Sequence, residues 1–199
     1  AALEDDGVGA GDNVACALYN GNEYVEAEFA AFKLRAAPCN VNYRYVENEL
    51  AYLIYNSDAK AVFFDDTLTE RFDAVRPHLT KVRRWVHVGD GECPDWADRH
   101  EDIIAASMPA ARRDRSADDL WILYTGGTTG HPKGVMWPHA SLVGLTARTL
   151  APLGVETPST AREMVTLLSL FDSFGAPSRQ LAAAPLMHGT SGLSAILTL

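Results

Sequence analysis

Short apolar runs alternate with amphipathic stretches through the first half of the chain, and this alternation limits the folds that are possible. Runs with the character of strands cover residues 14–19, 37–41, 60–64 and 84–88. Stretches with helical spacing, each of crossover length, cover residues 22–35, 46–57 and 68–79. Strands joined by such crossovers pair in parallel and are covered by helices on both faces. The pattern therefore predicts an α/β fold with parallel-sheet layers and helices on both faces.

The same pattern begins again near residue 120. We expect strands over residues 120–124, 135–137 and 180–186, and helices over residues 139–150 and after residue 188. A surface connection is expected over residues 91–119, with one short helix near residues 97–106, and a connection whose detail the sequence does not resolve over residues 151–179, which contain three prolines. The chain therefore divides into a first β/α segment, residues 1–115, and a second segment, residues 116–199.

The charge and the cysteines narrow the possible partners. The chain of 199 residues has 17 Lys+Arg against 26 Asp+Glu, a net charge of −9, so a nucleic acid or an anionic membrane surface would repel it. Residues 181–199 are too polar to predict a transmembrane helix. The three cysteines, Cys16, Cys39 and Cys93, are widely spaced, which favours neither a disulfide framework nor a zinc site. We therefore expect a cytoplasmic protein, and the charge does not forbid a small anionic ligand held in a local pocket.

The strongest chemical signal follows the predicted strand 120–124, where residues 124–134 read YTGGTTGHPKG. Glycines permit positive φ angles, so that successive backbone N–H groups can converge on an anion. Threonine hydroxyls add donors, and Lys133 adds a positive charge. The residues that we predict to bind phosphate are Thr125, Gly126, Gly127, Thr128, Thr129, Gly130, Lys133 and Gly134.

Other interpretations of the glycines are weaker. A Walker A loop requires G-x-x-x-x-G-K-[ST], but His131 and Pro132 separate Gly130 from Lys133, and a glycine follows the lysine. The glycines of residues 7–11 precede a strand instead of following one, so we interpret them as a turn. A plain connecting loop remains the alternative for residues 125–134. Four histidines belong to no constellation and are expected at the surface: His78, His87, His100 and His131.

Residues 124–134 resemble the phosphate-binding loop of the adenylate-forming enzymes, a superfamily that includes acyl-CoA synthetases, luciferases and the adenylation domains of peptide synthetases. Residues 185–192, PLMHGTSG, are similar to the P-L-x-H-x-x-x-G motif that lines the acyl pocket in this superfamily. Residues 20–24, 33–36 and 40–44 resemble its early strand–helix–strand region. The resemblance is strongest to fatty-acyl-CoA synthetases and implies an incomplete N-terminal domain.

The resemblance also implies a reaction. A carboxylic acid, here expected to be a fatty acid, attacks the α-phosphate of ATP to give an acyl-adenylate and pyrophosphate, and coenzyme A then takes the acyl group. It assigns catalytic roles to Lys133 and Thr128, and acyl-pocket positions to His188, Gly189 and Gly192. Mg²⁺ would accompany ATP, but its chelating glutamate would follow Leu199, so no residue of this chain is predicted to bind metal.

Three other functions stay open at this point. The loop could belong to a non-catalytic nucleotide- or phosphate-binding module, to an amino-acid adenylation domain, or to an interaction domain that makes no use of it. Because the adenine- and ribose-binding residues of the superfamily would also follow Leu199, we expect the isolated chain not to catalyse adenylation and to bind ATP weakly.

Overall fold

Seven strands form one sheet within residues 1–126, 130–175 and 181–198, which are the residues that this computed structural model describes. In chain order they are β1 (Asn13–Ala17), β2 (Ala37–Asn40), β3 (Ala59–Asp65), β4 (Arg84–Val88), β5 (Asp98–Arg99), β6 (Leu120–Thr125) and β7 (Lys133–Pro138). Their order in the sheet is β5-β4-β3-β1-β2-β6-β7. All pairs are parallel except β6 with β7, which is antiparallel. The predicted parallel sheet is confirmed, and an antiparallel strand is added at one edge.

The α-helices of the described ranges are α1 (Ala2–Asp5), α2 (Asn22–Leu34), α3 (Glu47–Asn56), α4 (Thr69–Val75), α5 (His100–Ala106), α6 (His139–Leu150), α7 (Ala161–Ser173) and α8 (Gly189–Thr198). The contacts divide the chain into two compact units, Ala1–His139 and Ala140–Leu199. The whole sheet lies in the first unit, and α7 and α8 lie in the second. Within the described residues, no helix combines the length and the apolar character that crossing a membrane requires.

Helices cover both faces of the sheet because neighbouring strand residues point in opposite directions. The ring of Phe64 on β3 lies 5.2 Å from that of Phe72 on α4, on the face where Leu50 and Leu53 of α3 are also buried. The adjacent Phe63 lies on the other face, with its ring 6.2 Å from that of His100 at the start of α5. Two covered faces explain why the central strands are apolar throughout instead of alternating with polar residues.

The C-terminal end of α2 is joined to the base of the β6–β7 pair. Arg35 ends the helix in the left-handed region, at φ 64°, and its guanidinium donates to Asp119 Oδ1 from Nε at 3.0 Å and from Nη2 at 2.9 Å. Asp119 directly precedes β6, and its carbonyl accepts a hydrogen bond from the His139 amide, directly after β7, at 2.8 Å. Two hydrogen bonds from one guanidinium fix the orientation of the carboxylate as well as its distance. The contact therefore holds the base of the β6–β7 hairpin against the end of α2.

The predicted helix over residues 68–79 is shorter than expected. A 3-10 segment, Asp66–Leu68, precedes α4, and a second 3-10 segment, Arg76–His78, follows it. Arg76 keeps helical dihedral angles, φ −54° and ψ −33°, but Pro77 has no N–H to donate to the carbonyl four residues earlier, so the α-helical hydrogen-bond pattern breaks there. The helix therefore ends at Val75.

The second unit corrects two predictions. Residues 181–186 contain no strand, so the strand predicted over residues 180–186 is wrong for that part, while Gln180 lies outside the described residues. The connection over residues 151–179 contains α7, thirteen residues long. Thr160 caps this helix by accepting from the Glu163 amide, and Glu163 accepts from the Ser159 amide. This Thr-x-x-Glu arrangement is a helix-start signal that the sequence already contained.

Two of the four histidines expected at the surface are buried. His87 on β4 is fully buried, and His100 is 5% exposed. Both ring nitrogens of His87 are buried and have no hydrogen-bond partner in the described part of the chain. Burial, which disfavours the charged imidazolium, lowers the pKa of His87. His87 lies in the strand 84–88, which the sequence already placed in a sheet covered on both faces, so its assignment to the surface was inconsistent with the predicted fold.

Candidate functional site

The predicted phosphate loop is the connection between β6 and β7. The two strands pair up to Thr125 opposite Lys133, with Tyr124 opposite Gly134 one step further from the loop. Residues directly opposite in an antiparallel pair direct their side chains to the same face of the sheet. Both Thr125 and Lys133 are exposed. The hairpin therefore brings one hydroxyl donor and one positive charge together where the loop begins and ends.

The loop itself is described only in part. Gly126 is exposed, and Gly130 adopts φ +114°, a conformation in which a residue with a side chain is strained. The predictions for Gly127, Thr128 and Thr129 fall on residues that lie outside the described ranges. The backbone at residue 130 thus requires a glycine. That the N–H groups of the loop converge on an anion remains a prediction.

Gly134 is needed for a different reason, the close approach of a ring. A Cβ atom at this position would lie 3.0 Å from Cγ2 of Ile122 and 3.1 Å from Cε2 of Tyr124. The absence of a side chain lets the Tyr124 ring lie across β7. Tyr124 is 8% exposed, and burial raises the pKa of its hydroxyl to about 12. The hydroxyl donates to Asn56 Oδ1 at 2.8 Å.

Asn40 holds the main chain just before the loop. Strands β2 and β6 pair only at Cys39 with Ile122, and beyond that point the Asn40 side chain takes the place of a strand. Its Nδ2 donates to the Tyr124 carbonyl at 3.1 Å, and its Oδ1 accepts from the Tyr124 amide. Asn40 is 6% exposed, so both contacts are shielded from water. The sequence predicted no role for Asn40.

We expect Asn40→Ala to lower the free energy of unfolding by about 1–3 kcal/mol, because the buried N–H and C=O of Tyr124 would each lose a partner. Urea denaturation followed by tryptophan fluorescence measures this change. Asn42→Ala is the control, since the Asn42 side chain makes a local turn contact, accepting from the Arg44 amide at 2.9 Å. Equal losses in the two variants would contradict the role given to Asn40.

The predicted acyl-pocket residues lie in the second unit. His188 is exposed and directly precedes α8, which begins at Gly189. The His188 amide donates to the Pro185 carbonyl at 3.0 Å, and the His188 carbonyl accepts from the Gly192 amide at 2.9 Å. The three residues thus meet at the N-terminal end of α8. They follow a turn and not the strand that the sequence predicted.

A buried acid in the first unit also went unrecognised. Glu28 on α2 is 4% exposed, and burial raises its pKa to about 8, although the neighbouring Trp121 indole opposes part of this rise. Tyr24 and Phe32, four residues before and after it, are also buried. That i, i+4 spacing places Glu28 on the apolar stripe of the helix, and it was a signal available in the sequence.

Comparison with known proteins identifies the family. The profile described as AMP-binding enzyme matches residues 1–198. This chain belongs to the AMP-binding enzyme family. Among its relatives, a 3-oxocholest-4-en-26-oate–CoA ligase of Rhodococcus rhodochrous is 47% identical over 142 residues, which are 69% of this chain and 26% of the relative. The medium-chain acyl-CoA ligase Mig of Mycobacterium avium is 45% identical over 125 residues, 60% of this chain and 22% of the relative.

A solved structure agrees on the fold of this AMP-binding chain. The inhibitor-bound N-terminal domain of FACL13 from Mycobacterium tuberculosis superposes with a TM-score of 0.70 at 24% identity, covering 99% of this chain and 44% of that one. The resemblance to adenylate-forming CoA ligases and the predicted fold class are therefore confirmed. The chain spans about a quarter of the length of the curated relatives given above, 26% and 22%.

Proposed function

We propose that this chain is the phosphate-binding part of an N-terminal domain in an ATP-dependent acid–thiol ligase. In the reaction, a carboxylate oxygen bonds to the α-phosphorus of ATP while the bond from that phosphorus to the bridging oxygen breaks. Pyrophosphate leaves with the bonding electrons, and the thiol of coenzyme A later displaces AMP from the acyl-adenylate. The proposal rests on the β6–β7 hairpin of this chain, which belongs to the AMP-binding family. In this hairpin Thr125 lies opposite Lys133, and Gly130 between them adopts a positive φ angle.

The loop's contribution is electrostatic. Negative charge builds up on the departing pyrophosphate, and donors fixed in advance stabilise it without reorganisation. We assign this role to Lys133 and Thr128. Thr125 and Thr129 would bind the phosphates through their hydroxyls, and the four loop glycines, Gly126, Gly127, Gly130 and Gly134, would shape the backbone around them. Mg²⁺ would partly neutralise the polyphosphate, and we assign no residue of this chain to it.

The substrate acid that we propose is a fatty or related lipid acid. Relatives at 47% and 45% identity are named as ligases for a steroid acid and for medium-chain acyl groups, both of which are apolar carboxylic acids. We assign the N-terminal end of α8, with His188, Gly189 and Gly192, to the acyl pocket. A cytoplasmic location is part of the proposal, since ATP and coenzyme A are its co-substrates.

The test is ATP–pyrophosphate exchange by the full-length reading frame that carries this sequence, with a panel of acids: a medium-chain and a long-chain fatty acid, a steroid side-chain acid and an amino acid. We expect exchange that depends on a lipid acid. Exchange only with the amino acid would replace the ligase by an amino-acid adenylation domain. Binding of ATP without exchange for any acid would indicate a non-catalytic module.

A further inference from the structure

One face of α3 contacts both sides of the phosphate loop. Tyr52 and Asn56 are four residues apart, so their side chains lie on the same side of the helix. Asn56 accepts a hydrogen bond from the Tyr124 hydroxyl at 2.8 Å, on the strand that enters the loop. Tyr52 stacks on His131, on the segment that leaves it, with ring centroids 4.2 Å apart and planes inclined by 23°.

The stack holds an exposed residue of the loop against α3. His131 is exposed and lies between Gly130, at φ +114°, and Pro132, which is buried. Glycine in such a conformation gives the chain freedom that has to be limited elsewhere if the loop is to keep one shape. The flat contact with Tyr52 restricts the imidazole in position and orientation. It therefore acts on the part of the loop that leads directly into Lys133.

The helix that provides this contact is itself fixed. Leu50 and Leu53 are fully buried, and Ile54 is 2% exposed, so α3 is packed into the core on one face of the sheet. Tyr52 and Asn56 thus connect a rigid element to the loop. A site is held accurately when its residues are supported by such packed neighbours.

We propose that Tyr52, assisted by Asn56, is a positioning residue that holds the phosphate loop through His131. This inference rests on the proposed function, since it assigns the loop's support and not its chemistry. Tyr52 does not touch the reacting atoms. Its effect reaches the phosphates through His131 and the neighbouring Lys133.

The experiment compares four variants of this chain: Tyr52→Ala, Tyr52→Phe, His131→Ala and Tyr55→Ala. Two measurements report the loop without requiring activity. These are the NMR shift of the His131 ring protons, which a stacked ring moves upfield, and amide hydrogen exchange at Thr125 and Lys133. Titration with inorganic pyrophosphate reports binding. Tyr55→Ala is the matched control, because Tyr55 is on the same helix but 67% exposed, with Lys81 Nζ 5.5 Å from its ring centroid.

We expect Tyr52→Ala to abolish the upfield shift and to speed exchange. Both Tyr52→Ala and His131→Ala should weaken pyrophosphate binding about threefold to tenfold, the equivalent of one lost ring contact. Tyr52→Phe, which keeps the ring, and Tyr55→Ala should match the wild type. An unchanged shift and unchanged exchange in Tyr52→Ala would overturn the proposal. So would unchanged pyrophosphate affinity once the shift is lost. If the wild type itself binds no pyrophosphate, the proposed function fails, and the shift and the exchange rates still decide the role of Tyr52.

Discussion

Replacing Lys133 with alanine should slow acyl-adenylate formation by about 100- to 1000-fold in the full-length reading frame. This is the range measured when one preorganised donor to a developing negative charge is removed. Lys133 is exposed, opens β7 and lies opposite Thr125, so its side chain stands in solvent at the point where the loop ends. The loss should fall on kcat, because the charge on pyrophosphate is greater in the transition state than in bound ATP. ATP–pyrophosphate exchange at saturating ATP and acid measures it.

The control for this experiment is a lysine of the same unit with a different partner. Lys81 is exposed and pairs with Asp58 at 2.6 Å, so Lys81→Ala removes an equal charge away from the loop. We expect its exchange rate to stay within twofold of the wild type, since an exposed pair is worth little. Lys133→Arg keeps the charge but changes its shape, and should recover part of the rate. If Lys133→Ala and Lys81→Ala exchange at the same rate, Lys133 has no part in the chemistry.

The first unit could be predicted well from the sequence because its signals are local. The strand Arg84–Val88 is identical to its prediction, and β1, β2 and β3 differ from theirs by one or two residues at the ends. Each is a short apolar run between turn residues, and each adjoins an amphipathic helix of crossover length. The glycine at 130 was also predictable, since positive φ is a property of one residue.

The features that were missed depend on which surfaces are covered in three dimensions. Asn40 matters because the pairing of β2 with β6 stops at Cys39 and Ile122. Beyond that point the side chain of Asn40 makes the hydrogen bonds to the Tyr124 main chain. The Tyr52–His131 stack joins residues that are 79 positions apart. Spacing along the chain carries no information about such contacts, so only the folded structure could supply them.

Glu28 should make the first unit less stable as the pH rises. Burial raises the pKa of this carboxyl to about 8, whereas an unfolded glutamate ionises near a pKa of about 4.3. Between those values the folded state holds a proton that the unfolded state has lost, so the free energy of unfolding falls as the pH increases. The slope is about 1.4 kcal/mol per pH unit, and the total loss by pH 8 is on the order of 5 kcal/mol.

Glu28→Gln removes this titration while keeping the size of the side chain. Below pH 5 we expect the variant to be as stable as the wild type or slightly less so, and by pH 8 it should be more stable by several kcal/mol. Urea unfolding at pH 5, 6, 7 and 8 measures the difference. All four tryptophans lie at or before position 137, so their fluorescence reports the first unit alone.

The difference between the two curves isolates Glu28 from other titrating groups. His87, whose pKa is lowered by burial, acts in the opposite direction: its contribution to stability is lost as the pH falls below about 6.5, where the unfolded imidazole takes up a proton. This term is present in both proteins and cancels on subtraction. Glu23→Gln removes an acid from the first turn of the same helix and is the control for the loss of one carboxyl group. Parallel curves for the wild type and Glu28→Gln would show that the buried carboxyl does not hold its proton, and that α2 accommodates the charge by letting water reach it.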